Sequence, residues 1–334
     1  MDIQHAIYNG ASDPYLELNY YFIASSLKFN QIDSTHKQAS LEVLLLIKQG
    51  DKVVQYDKYV LNSPLQKEIH DFYDTKRYAI QNGSYQVELE ISNIADPNGR
   101  LKKQIPIEVR FLNDEVSLSN VQLLAKAEKS EQEDASSKNG LNLEPLPFAY
   151  YDASYDRLIS YFEIYNASLI EDDYVIAYAI YQLLNSQRNL IKRKFKRRSG
   201  KPKDALVLYL DIKDLESGNY EFEINIQDKT KKKLAGNVVE FKRSNPYLEL
   251  EKKFEAKGFD INNTFVAKLT PKELRYSLRA IAPRVHPEDI ESLNVLIRNK
   301  EERYQRIFLH NFWMTQNQND PETTYNEYME VAKA

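Results

Sequence analysis

The sequence contains no cysteine and little glycine, and each shortage excludes a class of function. Without cysteine, a chain of 334 residues has no disulfides, no thiolate zinc sites and no cysteine nucleophile. The nine glycines are widely spaced, and the two closest are Gly83 and Gly99. A dinucleotide-binding loop, a phosphate-binding P-loop and a serine-hydrolase elbow each need glycines only a few residues apart. These three sites are therefore excluded.

A strong net charge, long apolar runs and an export signal are also missing. The formal net charge is −4, which is too small to favour nucleic acid, so we expect no nucleic-acid partner. No apolar run reaches the length of about 18 residues that a membrane-spanning helix needs. Residues 1–6 lack the basic and apolar segments of a signal peptide. The alternatives are a cytosolic protein or the mature form of an exported one.

One short pattern occurs twice. Residues 83–91 and 218–226 each begin with a glycine and a small polar residue, followed by a tyrosine, Tyr85 or Tyr220. Apolar and polar residues then alternate, which predicts a half-buried β-strand in each copy. Because the copies are a domain length apart, they indicate two tandem β-domains. Each tyrosine resembles the corner tyrosine of immunoglobulin-like sandwiches.

Strand patterns continue through most of the chain and predict a mainly β fold with a helical C-terminus. We expect two tandem immunoglobulin-like antiparallel β-sandwiches, at residues 13–113 and 117–243. Polar residues dominate 128–142, which is expected to be a mobile loop of the second sandwich. Four short helices are expected within 246–334, and the clearest helix start is residues 270–273, with an N-cap threonine followed by proline.

A basic segment at residues 192–203 is the most prominent charge feature, with eight lysines and arginines in twelve positions. Its first part provides six interaction candidates: Lys192, Arg193, Lys194, Lys196, Arg197 and Arg198. The simplest interpretation is a solvated hairpin with Gly200 at its tip. The functional interpretation is contact with an acidic protein or lipid surface.

Other candidate sites have weaker support. Three adjacent carboxylates at 171–173 cannot all face one ion from a strand, so a turn is favoured over a calcium site. The histidines are scattered, without metal-binding spacing. We therefore expect no metal site and no cofactor, and no catalytic residue can be named. Aromatic residues of the strands form either a sugar-stacking platform or a sandwich core: Tyr20, Tyr21, Phe22, Tyr150, Tyr151, Tyr161, Phe162 and Tyr174.

The end of the chain contains a recognisable series of short motifs. They are Phe312-Trp313, then Asp320-Pro321, then Tyr325-Asn326-Glu327-Tyr328-Met329 and Ala332-Lys333. This series resembles the approach to the signature of GWxTD-domain proteins, which are exported proteins of Bacteroidota. Asn319 stands where that family usually has arginine, and the chain ends at Ala334, before the Gly-Trp-x-Thr-Asp signature.

The resemblance implies an exported protein of the bacterial envelope, located in the periplasm or at the outer membrane, whose signal peptide has been removed. The family has no established catalytic residues to transfer. The favoured hypothesis is a non-enzymatic subunit or scaffold that binds other envelope proteins, such as an outer-membrane complex. Sandwich edges and the helical tail would form the contacts, with Phe312, Trp313 and Tyr325 as exposed aromatic candidates. The alternatives are a glycan- or peptide-binding module and a hydrolase without a recognisable motif.

Overall fold

The computed structural model describes residues 1–130, 137–185, 187–246, 248, 260–298 and 302–333. The strands within these residues are β1 (Asp2–Asn9), β2 (Pro14–Phe22), β3 (Asn30–Gln31), β4 (Lys37–Gln38), β5 (Ser40–Gln49), β6 (Lys52–Asn62), β7 (Phe72–Ala79), β8 (Gly83–Asn93), β9 (Asp96–Val109), β10 (Ser117–Leu118), β11 (Gln122–Lys129), β12 (Ser137–Lys138), β13 (Leu141–Pro145), β14 (Tyr150–Tyr151), β15 (Arg157–Tyr165), β16 (Tyr174–Leu184), β17 (Gln187–Arg198), β18 (Lys203–Asp211), β19 (Gly218–Gln227) and β20 (Lys233–Arg243). The α-helices are α1 (Pro271–Ile281), α2 (Ile290–Arg298), α3 (Glu302–Gln316) and α4 (Pro321–Lys333).

The first sandwich packs the sheet β1-β2-β7 against the sheet β6-β5-β8-β9, with all neighbouring strands antiparallel. In immunoglobulin nomenclature these are strands A-B-E and C′-C-F-G, the arrangement of a fibronectin type III domain. Alternate residues of β5, such as Val43, Leu45 and Ile47, are fully buried between the sheets. Because β1 pairs with β2 along its whole length, this sandwich begins before the expected residue 13.

The second sandwich repeats the same order. Its A-B-E sheet contains β11, β15 and β18, and its C′-C-F-G sheet contains β17, β16, β19 and β20. The short β14 adds to β20 in parallel. The mainly β fold with two immunoglobulin-like sandwiches, predicted from the sequence, is therefore present.

The predicted hairpin across Gly200 is wrong, because β17 and β18 lie in different sheets. β17 pairs with β16, whereas β18 pairs with β15. Leu206, Leu208 and Leu210 point into the core from β18, which places this strand in the sheet opposite β17. The crossing is tight, since a Cβ atom on Gly200 would lie 2.5 Å from the carbonyl oxygen of Ala167. Glycine avoids this clash.

The predicted mobile loop at 128–142 is also partly wrong. Residues 131–136 of it lie outside the described residues. On either side, β11 extends to Lys129 and β12 pairs with β13. Ser137 and Lys138 are buried, so this polar segment contributes side chains to the interior. Their composition indicated solvent exposure, but their partners come from a distant part of the chain.

The repeated tyrosine has the same role in both sandwiches. The Tyr85 hydroxyl donates a hydrogen bond to the carbonyl oxygen of Gln81 at 3.1 Å. In the second sandwich, the Tyr220 hydroxyl donates to the carbonyl oxygen of Glu216 at 2.9 Å. Each bond reaches four residues back across the corner that leads into strand F, which is the geometry of a tyrosine corner.

The four helices pack around a separate apolar core. Helix α1 begins with a complete capping box, in which the Thr270 side chain accepts from the Glu273 backbone and the Glu273 carboxylate accepts from the Thr270 backbone. Leu274 and Leu278 of α1 meet Trp313 of α3 in this core. From the second sandwich, the described hydrophobic residue Ala153 packs against it. Within the part of the chain that the structure describes, no helix is long and apolar enough to cross a membrane.

Candidate functional site

Strand β17 forms an outer edge of the second sandwich and contains the predicted basic candidates. In the described residues it pairs with β16 on one side only, at the end of the sheet β14-β20-β19-β16-β17. Lys194 and Lys196 lie opposite the core residues Tyr178 and Ile176, and therefore share the inner face of the strand. The outer face presents Arg193, Phe195 and Arg197.

Some of these basic side chains have fixed partners. Arg198 donates two hydrogen bonds to the buried carboxylate of Asp204, at 2.8 and 2.6 Å. Lys192 donates to the carbonyl oxygen of Asp211 at 3.0 Å. Arg193 donates to the Tyr181 hydroxyl at 3.0 Å. These contacts give Lys192, Arg193 and Arg198 a structural role.

The central side chains of the segment differ. Lys194, Lys196 and Arg197 make no side-chain hydrogen bond or ion pair with any residue that the structure describes. Phe195 stands between them and is 63% exposed. An open groove of about 1230 Å³ runs along the outer face, bordered by Phe195 and Arg197. This stretch therefore combines three available cations with an exposed aromatic ring.

The predicted aromatic candidates of the helical tail are placed differently from the expectation. Trp313 is fully buried, and Tyr325 is 7% exposed. Their rings lie 5.9 Å apart, and the Tyr325 hydroxyl lies 2.9 Å from the hydroxyl of Ser277. The expectation that both rings are exposed is wrong, because they fill the core of the four helices. Phe312 is partly buried and packs edge-on against Trp313.

The strand aromatics considered for a sugar-stacking platform are mostly interior. Six of them are completely buried: Tyr20, Phe22, Tyr151, Tyr161, Phe162 and Tyr174. The core interpretation is therefore correct for these six rings. Residues 171–173 lie in a bend between strands, where Asp172 forms an ion pair with Lys229. Among the described residues, no group of three or more histidine or acidic side chains could hold a metal ion.

The most unusual polar site lies between the two sandwiches, and no sequence pattern indicates it. Glu17 of β2 in the first sandwich is 1% exposed. Its carboxylate accepts from Lys138 Nζ of the second sandwich at 2.7 Å and from Arg77 Nε at 2.9 Å. Burial alone would raise the pKa of this carboxyl, but the two neighbouring cations hold it below its ordinary value. Glu17 is therefore ionised at neutral pH.

Lys138 enters this site from β12. Its ammonium lies 3.7 Å from the centre of the Tyr8 ring and 5.3 Å from that of Tyr161. Burial lowers the pKa of Lys138 to about 8, and attraction to Glu17 offsets the effect only in part. One carboxylate here faces two cations, so the site contains an excess of positive charge.

A second buried carboxylate extends the network. Glu163 of β15 accepts from Lys203 Nζ at 2.8 Å and from the Tyr165 hydroxyl at 2.5 Å. Although its burial raises the pKa, these bonds outweigh burial and hold the pKa of Glu163 below its ordinary value. The Tyr165 hydroxyl also accepts from the backbone N–H of Asn9 in β1 at 2.9 Å. The network therefore joins the two A-B-E sheets.

Apolar and backbone contacts surround these charges. Ala6 and Tyr8 of β1 form one buried cluster with Leu124, Leu143 and Tyr161 of the second sandwich. In addition, the Ile7 N–H donates to the Asn120 side chain at 2.8 Å, and the Asn120 N–H donates back to the Ile7 carbonyl at 3.3 Å. This combination of apolar burial and paired charge fixes the orientation of one sandwich relative to the other.

Comparison with known protein families and with characterised proteins gives no match. Solved structures similar to this chain include red sea bream transglutaminase, at 12% identity over 73% of this chain and 32% of that protein, with a TM-score of 0.21. Fibronectin(III)-like modules of Clostridium thermocellum CbhA are similar at 11% identity over 70% of this chain and 85% of theirs, with a TM-score of 0.20. A glycosyl hydrolase family 2 member from Bacteroides cellulosilyticus is similar at 8% identity over 68% and 28%, with a TM-score of 0.25.

The chain thus spans about a third of the transglutaminase and less of the glycosyl hydrolase. The immunoglobulin-like fold is assigned from the strand order described above.

Proposed function

We propose that this chain is a non-enzymatic scaffold or partner-binding subunit of a protein assembly in the bacterial envelope. The supporting observation is the buried network of Glu17, Lys138 and Glu163, which joins the A-B-E sheets of the two sandwiches. Because these sheets face each other, the two C′-C-F-G sheets are left on the outside. A rigid pair of outward-facing sheets suits a protein that holds partners at fixed positions.

The envelope location follows the resemblance of residues 304–334 to the segment that precedes the GWxTD signature. Its partners would be other envelope proteins, including an outer-membrane complex. The tandem sandwiches supply the contact surfaces, and the helical region adds a unit with its own apolar core at their end.

The test is recovery of the tagged protein from detergent-solubilised envelopes of its native host, followed by quantification of the partners. We expect one or more periplasmic or outer-membrane proteins in stoichiometric amounts. Glu17→Gln, which unbalances the interface between the sandwiches, should reduce their recovery. The exposed control Glu128→Gln on β11, whose ion pair with Lys126 is at the surface, should not. A monomer without stoichiometric partners would contradict the proposal.

A further inference from the structure

The two sandwiches contain equivalent edge strands, and the comparison between them isolates what is special about β17. β6 and β17 both occupy the C′ position at the end of their sheets. Both expose apolar side chains, such as Tyr56 on β6 and Phe195 on β17, which are 73% and 63% exposed. Each sandwich therefore has an exposed strand edge at its C′ position.

The charge on the two edges is very different. β17 contains seven lysines and arginines among its twelve residues and no acidic residue. β6 contains only Lys52 and Lys58 as basic residues, together with Asp57. Lys58 is paired with Glu42, whereas Lys194, Lys196 and Arg197 of β17 have no such partner among the described residues. The C′ position does not itself require basic residues, so the charge on β17 needs another explanation.

An open strand edge presents backbone N–H and C=O groups that a further strand can pair with. On β17, cations project from both faces of the strand beside this edge, with Lys194 and Lys196 inside and Arg193 and Arg197 outside. A neighbouring strand with carboxylates on both faces would meet a cation at successive positions. A second copy of β17 would instead bring like charges together, which disfavours pairing between copies of this chain.

We propose that β17 is a docking edge for an extended acidic segment of a partner protein, which adds as a sixth strand to the outer sheet of the second sandwich. Phe195 would contact an aliphatic or aromatic side chain of that segment. Acidic residues 171–173 border the groove at its Arg197 end, so the acidic positions of the partner would lie beside 193–196. This inference rests on the proposed partner-binding function and names the surface and the chemistry of the partner.

The probe is a labelled ten-residue peptide of Glu-Glu-Val repeats with a tyrosine in place of the central valine, titrated by fluorescence anisotropy against the full chain. Adjacent glutamates put carboxylates on both faces of the added strand. Two peptides of matched length serve as comparisons. One replaces glutamate by lysine, and the other keeps the glutamates but has proline at every third position, which prevents strand pairing. We expect binding of the first peptide only, together with slower hydrogen exchange of the β17 amides.

The variant Arg193→Glu/Arg197→Glu should weaken binding about tenfold or more, since opposite charges across the edge become like charges. Lys272→Glu/Arg275→Glu on the exposed face of α1 makes the same change in net charge and should leave binding unaltered. Equal binding of the proline peptide, or unchanged exchange at β17, would show that the attraction is only coulombic and would overturn strand addition.

Further outcomes separate this inference from the scaffold role and from other ligands. If no acidic peptide binds and phosphatidylglycerol vesicles bind the wild type but not Arg193→Glu/Arg197→Glu, the surface recognises lipid and the inference is wrong. If the double variant recovers the same envelope partners as the wild type, the docking edge is wrong and the scaffold role stands. If the wild type recovers none while the peptide results hold, the scaffold role fails and the edge stands.

Discussion

At Glu17, one buried carboxylate faces the two cations Lys138 and Arg77, so the three residues do not contribute equally. Removing the carboxylate leaves two positive charges together in a site with little water. Removing the charge of Lys138 leaves a balanced pair of Glu17 and Arg77. Burial, with a smaller contribution from the neighbouring Arg77, lowers the pKa of Lys138 to about 8. The energetic importance of the site should therefore lie in the carboxylate.

We predict that Glu17→Gln destabilises the protein by about 3 kcal/mol, because it removes the ion-pair partner of the buried Lys138 ammonium. Lys138→Met, which keeps the length of the side chain, should cost less than about 1 kcal/mol. Urea denaturation followed by circular dichroism measures both, with the surface substitution Glu128→Gln as a control. Equal losses for the two buried substitutions would contradict the unequal roles argued here.

Because the pKa of Lys138 is lowered in the folded chain, the free energy of unfolding should depend on pH. Between about pH 8 and pH 10.5 the folded chain has lost the Lys138 proton while the unfolded chain retains it. Because the unfolded state then binds more protons, the free energy of unfolding rises with pH in this window. Relative to Lys138→Met, the wild type should gain about 2 kcal/mol between pH 7 and pH 9.5. Denaturation of both proteins at these two pH values tests this, and a constant difference would contradict it.

At the scale of strands, alternation predicts those with one polar face and fails where both faces are buried. β8 and β19 alternate strictly and are recognisable from the sequence. β1 has Ile3 and Ile7 in the core of the first sandwich and Ala6 and Tyr8 in the interface. Buried apolar residues therefore lie on both of its faces, regular alternation is absent, and the strand was not predicted. The sequence pattern of one strand does not predict that its second face is buried in an interface between domains.

Distance along the chain explains the other errors at this scale. Lys138 meets Glu17 across 121 residues, so its polar neighbours in sequence suggested a loop. β17 and β18 are separated by only a few residues but lie in opposite sheets, a choice that depends on the core residues of β18 and not on the turn. Helix α1 was predicted correctly because its capping box and apolar stripe are local signals.

The tyrosine corners provide a prediction that compares equivalent elements. Tyr220 is 2% exposed, whereas Tyr85 is only partly buried. We expect Tyr220→Phe to cost about 1–2 kcal/mol, since a buried hydrogen bond is lost, and Tyr85→Phe to cost less than about 1 kcal/mol. Tyr56→Phe on β6, at an exposed tyrosine, should have almost no effect. Thermal unfolding of the three variants measures this order, and a larger loss for Tyr85→Phe would contradict it.

At the scale of the whole molecule, the described contacts divide the chain into two bodies of unequal size. The sandwiches share a buried cluster, an ionic network and backbone hydrogen bonds. The four helices form their own core, to which the sandwiches contribute the partly buried Ala153. Cooperative unfolding requires an extensive shared interface, so the two sandwiches should unfold together and the helices separately.

Trp313 makes this division measurable, because it is the single tryptophan of the chain and lies fully buried in the helical core. Its fluorescence should report the unfolding of the helices alone, whereas the circular dichroism of the strands reports the sandwiches. We therefore predict two different urea midpoints for the two signals.

Two variants test whether these transitions are independent. Leu278→Ala in α1 should lower the free energy of unfolding of the helices by about 2–4 kcal/mol, which shifts the fluorescence midpoint to lower urea and leaves the strand transition unchanged. Glu17→Gln should do the reverse, shifting only the strand transition. Coincident midpoints in the wild type, moving together in both variants, would mean that the helices and sandwiches fold as one unit.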